Sequence, residues 1–142
     1  MLYDDIEDPE ATSPDELAEE YADELAEIVE AEGVDAVADE TGVDRETVEA
    51  LAEGDAADVH IEDAAAVAAL ADDAPDSDAI VAEVRDNLLL GMTTAVLDVD
   101  TIAVESDVEM DGKQVHQKVE GRSPMTVGEY AAIYHFIASR QR

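Results

Sequence analysis

Apolar residues recur along this chain at spacings of three and four rather than two, the period of a helix with one buried face. Leu17, Tyr21, Leu25, Ile28 and Val29 form the first such stripe. Ser-Pro-Asp-Glu at 13–16 precedes it: Ser13 can cap the helix, Pro14 suits its first position, and Glu16 stands three residues after the cap. Gly33 supplies a stop. Shorter stripes predict helices over 35–41, 44–54 and 61–72, and the turn-forming run at 72–78 separates these from a longer helix over 79–97. In that helix Ile80, Val81, Val84, Leu88 and Met92 are suited to burial. Helices over 100–106, 111–120 and 126–139 follow, the last opening with Thr-Val-Gly-Glu at 126–129, a second capping box. Tyr130, Ile133, Phe136 and Ile137 form its core stripe, leaving Tyr134 and His135 to contact a partner. No stretch alternates convincingly as a strand. The chain reads as all-α with about eight helices: a flexible acidic tail over 1–12, a first unit over 13–72, a linker over 73–78 and a second unit over 79–142.

The two units correspond. Val37-Ala38 matches Ile102-Ala103, Val48 matches Val115, and Gly54 matches Gly121; Ile61, Ala64, Val67 and Leu70 match Val127, Tyr130, Ile133 and Phe136. Buried positions agree while exposed ones differ, as two degenerate repeats sharing one core require. The first copy, VDAVADETGVDRETVEALAEGD followed by IEDAAAVAALAD, resembles the helix-turn-helix of the Cro and phage-repressor superfamily. The second copy, VHQKVEGRSPMTVGEYAAIYHFI, resembles the recognition helix and the helix behind it, although its turn ESDVEMDG departs from the tight glycine turn. The resemblance implies a recognition helix over 44–53 and another over 111–120. The segments MLYDDIEDP, LLLGMTTAVLDVD and KVEGRSPMT also resemble an uncharacterised haloarchaeal protein family, a likeness that implies an organism type and no activity.

Charge changes the picture. Of 142 residues, 39 are acidic and 7 basic, a net charge of −32, yet 46% are apolar and fall at helical spacing, so there is a core to bury. Diffuse acid with only two lysines resembles cytoplasmic proteins of salt-accumulating halophilic archaea. At molar salt the Debye length falls to about 3 Å and the self-repulsion largely vanishes. The same diffuseness argues against mimicry of nucleic acid. Without cysteine there is no disulfide or thiol chemistry. The opening MLYDDIEDPE shows no signal peptide, and the longest uncharged run, NLLLGMTTAVL, is too short to span a bilayer, so a soluble cytoplasmic protein is expected.

Against that background one segment differs. Residues 44–53 carry four acids and one base, a face that repels phosphate and suits a scaffold or a protein contact. Residues 111–142 instead hold five of the seven basic side chains against three acids. Two readings stay open. Lys113, Gln114, His116, Gln117, Lys118, Arg122 and Arg140 could face double-stranded DNA, with Gln114, Gln117 and Lys118 at the bases and Lys113, Arg122 and Arg140 on phosphate. With roughly four phosphates neutralised, moving from about 0.1 to about 2 M salt would cost on the order of 10⁴-fold in affinity. Alternatively the same face, or the Tyr134–His135 ridge, meets a protein partner or a second copy of the chain. A free positive stripe would favour DNA; salt-bridged lysines beside an apolar ridge would favour protein. Other chemistry finds no support. The calcium-loop pattern at 107–118 has Lys118 where the bidentate Glu belongs, and His60, His116 and His135 lie at no metal-ligand spacing. No phosphate loop, nucleophile elbow or dinucleotide fingerprint occurs. The expectation is a non-enzymatic regulatory protein with no metal or cofactor.

Overall fold

The computed structural model describes residues 1–106 and 108–141; Asp107, the first position of the calcium-loop pattern, and Arg142, one of the basic residues counted above, lie outside them. The described residues form a 3-10 turn, Pro9–Ala11, and eight α-helices. These are α1 (Pro14–Glu32), α2 (Val34–Thr41), α3 (Arg45–Ala52), α4 (Ile61–Ala68), α5 (Ser77–Ala95), α6 (Val99–Glu105), α7 (Gly112–Val119) and α8 (Val127–Arg140). The protein is all-α.

Local chemistry sets most of the boundaries. Ser13 Oγ accepts from the Glu16 amide at 3.1 Å, and Asp76 and Asp98 cap α5 and α6 in the same way. Complete capping boxes open α7 and α8 through Asp111/Gln114 and Thr126/Glu129. Four glycines at positive φ, Gly33, Gly42, Gly54 and Gly121, close helices where a side chain would be strained.

Helices α1 and α8 pack against each other at the centre; α3 and α4 cover α1, α5 covers α4 and α8, and α6 lies on α7. The apolar stripes meet there. Leu17, Tyr21, Leu25 and Val29 of α1 are buried, as are Tyr130, Ile133 and Ile137 of α8 and Ile80, Val84 and Leu88 of α5. Each such side chain contributes about 1.5–3 kcal/mol by leaving water. No charged side chain among the described residues is fully buried.

Two features differ from the sequence reading, and one causes the other. Residues 1–12 are not a loose tail: Leu2 is completely buried, and the segment lies over α1 and α8. It is held by Tyr130 Oη donating to the Leu2 carbonyl at 2.9 Å and Tyr134 Oη donating to Asp5 Oδ1 at 3.2 Å. His135 Nε2 lies 2.9 Å from the carbonyl oxygens of both Pro9 and Thr12. The Tyr134–His135 ridge is therefore covered by the chain's own first residues, not left for a partner. Tyr134 is 5% exposed and stacks on Tyr130, which stacks on Tyr21, while Phe136 is only half-buried. Burial pushes the Tyr134 hydroxyl up to about 12, so it remains a donor at neutral pH.

The segments leading into α4 and α8 run antiparallel. The Ile61 amide donates to the Met125 carbonyl and the Val127 amide to the Val59 carbonyl, each at 2.8 Å, around a bridge between His60 and Thr126.

Candidate functional site

Helix α7 buries Val115 and Val119 and turns its other side chains outward. That brings Lys113, Gln114, His116, Gln117, Lys118 and Arg122 onto one helix and the loop after it, but most are already engaged. Gln114 closes the capping box: its Oε1 accepts from the Asp111 amide at 3.0 Å while its own amide donates to Asp111 Oδ1 at 2.8 Å. Lys118 bends back to α8, where Nζ donates to Glu129 Oε1 at 2.7 Å and Oε2 at 2.6 Å. Its side chain is only 18% exposed. Burial raises the Glu129 pKa, but hydrogen bonds from Lys118 and from the Thr126 backbone outweigh it and hold the carboxyl below its ordinary range. Glu120 Oε2 lies 3.1 Å from His116 Nε2 and 3.5 Å from Arg122 Nε. Among the described residues Lys113 and Gln117 have no side-chain partner. Arg140, at the far end of α8, is tied to Glu105 of α6 at 3.1 Å and lies 4.6 Å from the centre of the Phe136 ring. Arg45, the one base on α3, is paired with Glu49 at 3.0 Å and with Asp35.

Beside this tied-down basic face lies a surface of the opposite character. Helix α5 turns Ile80, Val84, Leu88 and Gly91 inward, so close that a β-carbon on Gly91 would stand 2.6 Å from Ile137 Cγ2. Its outward side carries Leu89 and Leu90, and α6 leaves at 90°. At the corner Val96 is 89% exposed, and Val104 of α6 is 82% exposed. Val96 has φ 57° and ψ 49°, a left-handed conformation that β-branched residues avoid. Where the chain closes helices elsewhere at positive φ it uses glycine; here it places an exposed valine. The sequence reading did not single out Leu89, Leu90, Val96 or Val104. The available signal was the run 87–97, eleven residues without a charge in a chain of which 32% are charged.

Fold and surface together define a small all-α protein in which a largely ion-paired basic helix lies next to a corner that exposes Leu90, Val96 and Val104. The model of a family of unknown function, DUF5791, matches residues 17–140, and the chain belongs to that family. No curated protein and no solved structure matches it. No single helix among the described residues is long and apolar enough to cross a membrane.

Proposed function

We propose that this is a non-enzymatic protein-interaction module of a halophilic archaeon, meeting its partner through the corner formed by α5 and α6. The observation that carries this reading is Val96. A left-handed non-glycine residue costs about 1–2 kcal/mol, and burial does not recover it in the free chain because the side chain stands in solvent. Strain of this kind clusters at functional surfaces. An apolar group held there at a cost, with Leu89, Leu90 and Val104 also exposed on α5 and α6, gains its return when another molecule covers it. Binding of that kind relies on apolar burial and survives molar salt, in which phosphate contacts weaken.

We read the scaffold as two degenerate helix-turn-helix copies. The two amide–carbonyl bonds between the halves support this: with Ile61 matched to Val127 and Val59 to Met125, each bond maps onto the other, as about a two-fold axis. Double-stranded DNA is the second reading, favoured by the exposed Lys113 and Arg122 and the half-buried Gln117 between them. Against it stand Lys118 and Gln114, whose polar groups are held by Glu129 and Asp111.

The test compares tagged wild-type protein with Leu90→Glu/Val96→Glu and Lys113→Glu/Arg122→Glu in the source cells. All four positions are exposed, so both variants should fold. Co-purifying proteins lost from the first variant and kept by the second are expected. Loss confined to the second, together with loss of bound DNA, would favour the nucleic-acid reading.

A further inference from the structure

The segment before α1 and the face of α1 beneath it carry the same charge. Residues 1–44 contain no Lys, Arg or His. Asp4, Asp5, Glu7 and Asp8 of the segment and Glu20 and Glu24 of α1 line one cleft of about 620 Å³. The one cation among its lining residues is the Met1 amino group, 3.0 Å from Asp4 Oδ2 and 3.3 Å from Glu24 Oε2, so two carboxylates share it. Glu7 and Glu20 have no side-chain partner among the described residues. Tyr21 lines the cleft as well, and burial first, then Tyr134, Glu24, Glu20 and Asp4, raise the pKa of its hydroxyl. Acid from both walls therefore bears on one point. Where the segment runs into α1, Ala11 and Thr12 border a second cleft with Glu16, Glu19, Glu20 and Asp23. Elsewhere the packing sets base against acid, as in Arg45 with Asp35, Lys118 with Glu129 and Arg140 with Glu105.

What holds the segment down is almost all neutral. Leu2 is wholly buried, and Tyr3 and Ile6 pack against the core. The Tyr130 hydroxyl and the His135 ring meet backbone carbonyls, and the Tyr134 hydroxyl meets Asp5. The opposing force depends on salt. The Debye length is about 3 Å at 1 M, about 10 Å at 0.1 M and about 30 Å at 0.01 M. Across this cleft the carboxylates are therefore screened from one another in molar salt and repel in dilute salt. A single exposed pair is weak, but here six carboxylates face one ammonium. A short segment anchored chiefly by one leucine opens at less cost than a helix of the core.

We propose that residues 1–12 are an ionic-strength-sensitive latch, docked on α1 and α8 in molar salt and released on dilution before any helix melts. Release bares Tyr134 and the apolar surface under Leu2, so the docked segment is an autoinhibitory cover on the aromatic face of α8. The latch is independent of the corner formed by α5 and α6, and either can fail alone.

The test follows the backbone ¹⁵N heteronuclear NOE of the full-length protein from about 3 M down to about 0.1 M KCl, beside far-ultraviolet circular dichroism of the same samples. Residues 4–10 should be rigid at the top of the range and lose rigidity at a KCl concentration at which helicity is still complete. Glu7→Gln/Glu20→Gln removes one unpartnered carboxylate from each wall and should lower that concentration about twofold or more. Glu30→Gln/Glu32→Gln, at the far end of α1 and outside the cleft, removes as much charge and should leave it unchanged. A segment that stays rigid until the helices melt, one that is mobile even in molar KCl, or an equal shift in both variants overturns the proposal.

Discussion

Replacing Val96 with glycine should stabilise the isolated protein while weakening its complex, an unusual pairing of signs. The strain at φ 57° and ψ 49° is worth about 1–2 kcal/mol. Glycine relieves it, and at 89% exposure the valine side chain contributes almost no burial to lose. Against this, the added freedom of glycine in the unfolded chain costs about 0.5–1 kcal/mol. The net is a gain of about 0.5–1 kcal/mol, which for a domain of this length raises Tm by about 2–4 °C. Thermal unfolding followed by far-ultraviolet circular dichroism in molar KCl measures it. Val96→Ala, which keeps a β-carbon but sheds the branch, should fall between wild type and glycine. A glycine variant that melts lower than wild type would show that Val96 is held by contacts within the chain, and the strain reasoning would fail. The same variant should lose partner binding, since the apolar group has gone.

Other perturbations probe the elements that position this corner. Glu129→Gln keeps a capping-box side chain but removes the charge facing Lys118, so about 1 kcal/mol of stability should disappear, with a coupling of similar size in a double-mutant cycle with Lys118→Met. Because the Glu129 pKa is lowered on folding, its contribution is complete above the unfolded value near 4.3 and is lost as pH falls through the folded value; urea titrations across that acidic window should show a flatter profile for Glu129→Gln. Gly91→Ala drives a methyl into Ile137 and should cost about 1–3 kcal/mol in the same urea titration. His135→Ala removes the group that meets the Pro9 and Thr12 carbonyls, and limited proteolysis should then cut within residues 1–12 sooner than in wild type. Transferring the protein from molar to millimolar KCl should lower Tm markedly, since the charge of −32 is then unscreened.

What could be read from the sequence was what local chemistry decides. The period of the stripes gave the helices, and Ser13, Asp111 and Thr126 started three of them by capping. Rotation of α8 was not readable, because Tyr130, Ala131, Ile133, Tyr134, Phe136 and Ile137 are apolar nearly all round and period cannot choose among them. The choice is made by residues 1–12, which fold over Tyr134 and leave Phe136 at the edge. Lys118 looked free because its partner, Glu129, stands eleven residues away on another helix, beyond any intrahelical spacing. Val96 looked like one more helical valine; its left-handed backbone is set by the sharp turn from α5 into α6.

The most direct test of a protein-binding corner is a photo-crosslinking side chain placed at Val96 in living cells, with the same group at Glu19, on the exposed face of α1, and at Lys113 as controls. One discrete protein adduct at position 96, absent at 19 and weak at 113, is the predicted result. Nucleic-acid adducts at 113 with none of any kind at 96 would contradict it.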